Sequence, residues 1–188
     1  GNYQTLPNME QIAYQPDWHK LLVAKLGIAV RLNEPLTREI VLTDRPDVVV
    51  VATGAKPALP AADGLDAALA SGFARTIDRV LGEGPSTLPE GNVVVWGAGE
   101  GIELALDLAQ AGRSVRLLDP TEKLLPANYI GSRAGAVNRW MARAGLASEQ
   151  GVALSSVGDG KVIVRNADGR SETIDCAALV IAPGRAAY

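Results

Sequence analysis

The apolar positions of this chain change period several times, and each change predicts an element. Residues 1–16 show no period. From Asp17 the spacing of Trp18, Leu21, Leu22, Ala24 and Leu26 predicts a helix with Asp17 as N-cap and Gly27 as stop. Ile28–Leu32 predicts a strand, and Leu36–Asp44 a turn or short helix running into an extended piece. Asp47–Ala52 is continuously apolar and β-branched, which predicts a strand buried on both faces. Residues 56–72 have no firm period and read as a linker, and Thr76–Leu81 as one or two helical turns.

The strongest break is Gly82–Gly91, rich in Gly and Pro. It divides the chain into an expected segment 1–90 and an expected domain 91–188. Beyond it the order is regular. Asn92–Trp96 predicts a buried strand, Gly97–Gly101 a glycine-rich turn, Ile102–Ala111 a helix closed by Gly112, and Ser114–Asp119 the next strand. This is a βαβ unit of about 30 residues. A second helix has Ile130, Ala134, Val137, Trp140, Met141 and Ala144 on its apolar face. Lys161–Arg165 and Glu172–Ile174 flank a hairpin turn at Asn166–Gly169, and Ala178–Ala182 predicts a last buried strand ahead of Pro183-Gly184. The expected fold class is α/β: a Rossmann-like domain with a mostly parallel sheet in three layers, joined to a further, partial α/β segment.

Composition narrows the chemistry. The net charge of −3 argues against nucleic acid as a partner. The longest apolar runs are far too short to span a bilayer, so no membrane partner is expected. No signal peptide is visible, and a reducing, cytoplasmic setting is the expectation. The one cysteine excludes a disulfide framework or thiolate cluster built within these residues, and the one histidine, His19, excludes a multi-histidine metal site. His19 reads as a surface or packing residue, Cys176 as a small core residue, and Trp140 as core. Arg113 and Arg116 read as solvated or paired with Asp119, and Glu122 and Lys123 as loop charges.

The chemistry rests on the glycine turn. A helix N-terminus leaves backbone N–H groups unpaired and carries partial positive charge, so a pyrophosphate can settle there where no side chain blocks it. Gly97, Ala98, Gly99, Glu100 and Gly101 are the candidate residues. Asp119 ends the following strand, where a carboxylate accepts hydrogen bonds from the adenosine ribose and disfavours the extra phosphate of NADP. NAD(H) is therefore the expected cofactor. The fit has a defect. The pattern asks for Gly-x-Gly-x-x-Gly, whereas the third glycine comes one residue early and Glu100 lies inside the turn. Two readings stand: a dinucleotide cradle, or a turn that only packs helix on strand. Trp96 is equally open, filling the cofactor slot or merely packing.

Arg31-Leu32-Asn33, the run Pro46–Pro57 and Val93–Asp119 resemble the C-terminal half of the flavin oxidoreductases typified by 2,4-dienoyl-CoA reductase and trimethylamine dehydrogenase. Ala52-Thr53-Gly54 is similar to the ATG segment where the chain of those enzymes passes from FAD-binding to NAD(P)-binding domain. Gly101-Ile102-Glu103 resembles their third glycine and following acid, and Leu124-Leu125-Pro126 and Asp175–Gly184 match their layout. The resemblance implies Thr53 and Gly54 as further cofactor-binding residues and hydride passage from NAD(P)H to a flavin bound elsewhere. It also implies that 1–90 is a partial α/β domain of the FAD-binding type and 91–188 a Rossmann-like NAD(P)- or dinucleotide-binding domain, with a flavin-containing barrel domain or subunit as partner. Without the first FAD glycine fingerprint, tight FAD binding is not expected of these residues. The alternative is a vestigial site that takes an ADP-like ligand or none, on a scaffold or interaction domain. No catalytic side chain is expected.

Overall fold

The computed structural model describes residue 6 and residues 10–125, 131–158 and 160–187. Five parallel strands make the central sheet: β2 (Ala74–Thr76), β3 (Val93–Trp96), β4 (Val115–Asp119), β5 (Ser148–Gln150) and β9 (Ala178–Ile181), in the order β2-β9-β3-β4-β5. The order reverses direction about β3, from which the chain moves first to β4 and later returns to β9.

Alternation sorts the side chains of the inner strands onto two faces. Val93 and Val95 of β3, Leu117 of β4 and Val180 of β9 face a layer of helices: α4 (Ile77–Glu83), α5 (Ala98–Gln110) and α6 (Gly131–Ala144). Val94, Trp96, Leu118, Leu179 and Ile181 face the other way, toward α3 (Leu65–Ser71) and an antiparallel sheet. That sheet is the meander β6 (Ala153–Gly158), β7 (Lys161–Arg165) and β8 (Ser171–Asp175). The result is a three-layer, Rossmann-like α/β architecture, as the sequence predicts. The hairpin turn also lies where predicted, with the Gly169 amide donating to the Asn166 carbonyl at 2.9 Å.

Several elements differ from the sequence reading. α3 occupies residues read as linker, β2 takes in Thr76, read as the start of a helical turn, and β5 and β6 carry no sequence prediction. α5 begins at Ala98, four residues before the predicted start. Trp140 is exposed, because α6 meets the core through Val137 and Met141, and Trp140 sits one position off that stripe. Ile130 and Pro126 lie outside the described residues.

The larger difference precedes β1 (Ala55–Pro57). The predicted helix is present as α1 (Tyr14–Lys25), with Gly27 at φ 63° as its stop. Its N-cap is Ala13 rather than Asp17, which instead pairs with Lys20 at 2.9 Å. A further helix, α2 (Arg38–Asp44), is started by the Thr37 hydroxyl. The predicted strands Ile28–Leu32 and Asp47–Ala52 join no ladder, and Val50 is 82% exposed. The physical reason is the lack of neighbours: none of the described strands lies beside either segment, so neither hydrogen bonding nor burial stabilises extended structure there. β1 pairs only with β10 (Arg185–Ala187), as a two-stranded antiparallel ribbon.

Candidate functional site

The glycine turn solves a tight connection at the middle of the sheet. β3 ends at Trp96, whose indole N–H donates to the Val152 carbonyl at 2.9 Å on the face covered by the meander. The ring therefore packs and is not among the residues lining the cleft described below. Gly97 follows at φ 103°, a conformation that favours glycine. A Cβ there would stand 2.0 Å from the Ala182 carbonyl oxygen, so the turn is pressed directly against the end of β9. α5 then starts on the next residue, and the Gly101 amide already donates to the Gly97 carbonyl at 3.1 Å.

This early start explains how the turn tolerates its missing residue. Gly101 still does the work of a third glycine: a Cβ would lie 2.7 Å from Val95 Cγ1 and 3.1 Å from Ala182 Cβ. Helix and strand approach closely because that side chain is absent. Gly99 behaves differently. Its Cβ position has nothing within 4 Å, and the residue is exposed on a cleft of about 290 Å³. The cleft lies between the turn, the loop after β4 (Asp119, Thr121, Lys123) and the segment Ala182–Gly184. It opens at the carboxyl ends of parallel strands beside β3, the position at which open α/β sheets bind ligands. Its volume is at the lower limit of the roughly 300–1,000 Å³ typical of small-molecule sites. It suits one half of a dinucleotide better than the whole.

A larger cleft of about 800 Å³ opens at the opposite edge, lined in part by Glu90, Asn92, Asp107 and Arg113. It borders the C-terminal end of α5, whose pole repels anions, and the amino ends of β3 and β4. Size alone does not make it the site; the smaller cleft has the favourable pole and the favourable edge.

Asp119 ends β4 as predicted and is only 4% exposed. Its Oδ2 accepts from the Ala98 amide at 2.5 Å, and its Oδ1 from the Thr121 amide at 2.8 Å and from the Thr121 hydroxyl. The carboxylate thus caps α5 from across the turn, a structural duty the strand-end position alone did not reveal. It lines the cleft as well. Glu100, in the first turn of α5, is held by Arg185 Nε at 2.8 Å; Arg185 Nη2 also reaches Asp78 at 2.7 Å. These two carboxylates raise the pKa of the guanidinium further. Arg116 does not pair with Asp119; it bridges Glu149 and Glu172 at the sheet edge. Arg113 is not simply solvated either, since it donates to the Leu88 carbonyl at 3.2 Å and to that of Pro89.

Gly97, Ala98, Gly99, Glu100, Gly101 and Asp119 are therefore brought together at the turn, but only Gly97, Gly99 and Asp119 line the cleft, and Ala98 and Gly101 are buried beneath it. Thr53 and Gly54 are not among them: both are exposed in the stretch entering β1, and neither lines the cleft. Lys123, read as a loop charge, lines the cleft, and so do Pro183 and Gly184. The last two had a sequence signal. Ala52-Thr53-Gly54-Ala55-Lys56 and Ala182-Pro183-Gly184-Arg185 share an Ala-x-Gly pattern, and Gly54 and Gly184 share φ values of 81° and 79°. The two segments enter β1 and β10, the two halves of the ribbon.

Cys176 is buried, and desolvation first, then Asp175, pushes its thiol up to about 11. It is a core residue, as predicted. Among the described residues no cluster of His, Cys, Asp or Glu is placed to hold a metal ion, and no helix is long and apolar enough to cross a membrane.

The fold is shared with solved flavoenzymes. A structure of 2-naphthoyl-CoA reductase with 2-naphthoyl-CoA is 27% identical, with a TM-score of 0.76 over 98% of this chain and 27% of that one. Histamine dehydrogenase from Rhizobium sp. 4-9 is 19% identical with a TM-score of 0.69, over 98% of this chain and 28% of that one. The 6-hydroxypseudooxynicotine amine oxidase from Pseudomonas geniculata N1 is 24% identical with a TM-score of 0.71, over 98% and 29%. The chain thus spans less than a third of the length of these relatives. The family model described as pyridine nucleotide-disulphide oxidoreductase, a family that binds FAD and NAD(P), matches residues 2–188, nearly the whole sequence around this glycine turn, and the chain belongs to that family.

Proposed function

We propose that this chain is the nicotinamide-dinucleotide-binding portion of a flavin-dependent oxidoreductase of the 2,4-dienoyl-CoA reductase and trimethylamine dehydrogenase kind. The observation that carries the reading is Gly99: it is the one glycine of the turn whose missing side chain leaves open space, and that space is the cleft. Gly97 and Gly101 are required by the fold whether or not a ligand binds; Gly99 is not. A diphosphate would lie over Gly97 and Gly99, with Gly101 serving only to bring the helix close to the strand, and with the adenosine ribose toward Asp119, whose Oδ2 accepts one hydrogen bond and retains a lone pair. NAD(H) is the assigned dinucleotide. When bound, its nicotinamide supplies the hydride, and the chain's own residues bind and orient it.

On this reading the sequence break divides a partial flavin-binding segment, 1–90, from the dinucleotide-binding portion, 91–188, with β2 and α4 lent across it to the sheet. FAD and a flavin-containing barrel are assigned to other parts of the parent enzyme, or to another subunit. The exposed apolar residues of α1, Ile28–Leu32 and Val48–Val51 support a covering partner, as does the short span of the matched relatives. The chain alone is then inactive in hydride transfer. The second reading, a vestigial site for an ADP-like ligand, draws on one specific observation: Asp119 already occupies the first amide of α5. Calorimetric titration with NADH, NADPH and ADP separates the two. NADH binding that is weakened in Gly99→Ala is the expected result; ADP binding without NADH binding favours the second reading, and no binding to any of the three refutes the first and leaves a non-binding scaffold or interaction domain.

A further inference from the structure

Glu100 is the feature of the turn that most opposes an anionic ligand. It stands in the first turn of α5, next to Gly99, where a diphosphate would bring like charge. Its neighbour in space is Arg185, which comes from the other wall of the cleft. Gly99 and Gly184 both line the cleft, and the residues that follow them, Glu100 and Arg185, are joined at 2.8 Å. The second arm of Arg185 is anchored on Asp78 in the first turn of α4, at 2.7 Å.

We infer that Arg185 is a positioning residue for the dinucleotide site: it neutralises Glu100 and staples the glycine turn to the Gly184 wall, so that a diphosphate is admitted beside an acidic side chain. This rests on the proposed dinucleotide binding. The physical argument has two parts. A carboxylate in the first helical turn cancels part of the favourable pole that an incoming anion would use, and a guanidinium paired with it restores the balance. The staple also adds a side-chain tie to a backbone contact already present: its ends are 85 residues apart in sequence, and the Ala182 amide donates to the Trp96 carbonyl at 2.8 Å where the two segments meet. β10 carries Arg185 into the ribbon with β1, so the same residue ties the ribbon to the cleft.

The test is a double-mutant cycle on the full 188-residue chain, with ADP and NADH as the probes in calorimetry and melting curves as the control for folding. Arg185→Ala is expected to weaken ADP and NADH binding about three- to tenfold, a range set by partly exposed charge pairs. Adding Glu100→Gln to Arg185→Ala is expected to return most of the affinity, because the carboxylate that Arg185 pairs with is gone. Arg185→Lys is expected to keep more affinity than Arg185→Ala. A merely structural Arg185 would lose affinity in the double variant as in the single one, and that result overturns the inference. If the original chain binds ADP or NADH and Arg185→Ala binds equally well, the inference fails while the dinucleotide reading stands. If neither the original chain nor Glu100→Gln binds either probe, the dinucleotide reading fails and the inference with it.

Discussion

Alanine substitution at the three glycines of the turn separates fold from ligand at single-methyl resolution. Gly97 has φ 103°, and a Cβ would meet the Ala182 carbonyl oxygen at 2.0 Å and its carbon at 2.6 Å. Backbone strain and a clash with backbone atoms combine, so Gly97→Ala should cost at least about 3 kcal/mol. For a chain of this size that lowers the melting temperature by about 6–12 °C. Gly101 is helical, so alanine gains about 1 kcal/mol of helix propensity but meets Val95 Cγ1 at 2.7 Å. Side chains can shift where a carbonyl cannot, and the net loss should be about 1–2 kcal/mol. Gly99 is also helical, and its Cβ meets nothing. Gly99→Ala should therefore melt at or slightly above the original temperature while its methyl stands where a diphosphate must approach, weakening ADP binding about tenfold or more. Thermal melts by circular dichroism and calorimetry with ADP read the two effects independently. The geometry assigned to the turn is refuted if Gly97→Ala melts with the original chain, or if Gly99→Ala is as destabilised as Gly97→Ala.

Asp119→Ala removes the acceptor for the Ala98 and Thr121 amides and should cost about 2–4 kcal/mol, with Asp119→Asn costing less; urea titration of both variants measures it. Burial raises the Asp107 carboxyl above its ordinary value of 3.8, so its neutral form favours the folded state below that pH and the benefit is lost as pH rises through the folded pKa. Asp107→Asn should accordingly melt higher than the original chain at pH 7 and equal to it near pH 3; a gap independent of pH would disprove the burial argument. The Cys176 thiol, buried and pushed up to about 11, should react with an aromatic disulfide at pH 8 only slowly in the native protein and rapidly in urea.

The centre of the fold was legible because local and long-range signals coincide there. Val93–Trp96 is continuously apolar, as a strand covered on both faces must be, and glycine follows where α5 must turn back over it. The flaw seen in the fingerprint was real, and its resolution was not legible. Nothing in the residues themselves says that α5 starts at Ala98 or that Asp119 caps it; both depend on β4 lying beside β3. β5 carries only Ser148, Glu149 and Gln150, an edge strand with no apolar signal. β2 is three residues long, too short for any period to register. Arg185 was passed over because its partners, Glu100 and Asp78, are 85 and 107 residues away.

Two valine runs show what a sequence can and cannot specify. Val48–Val51 and Val93–Val95 have the same side chains and the same preference for extended structure. Val93–Val95 is fully buried, and the Val48–Val51 run is exposed. The difference is entirely in neighbours. β3 is paired along its length by β4 on one side and β9 on the other, and α5 and the meander close its two faces. No described strand runs beside Val48–Val51. β-propensity in such a run measures how well a pleated, covered surface would accept it, and has no effect until that surface exists. Left uncovered, four consecutive valines are a template for association with any other strand. The same holds for the apolar side chains Trp18, Leu21, Ile28, Val30 and Leu32, all exposed. Most of the exposed large apolar side chains lie in the chain before β1, whereas the sheet beyond it is closed on both faces. The strand predicted at Asp47–Ala52 is therefore absent for want of a paired and covered surface, and the segment leads instead into the hydrogen-bonded ribbon β1–β10, whose second strand follows the Gly184 wall of the cleft.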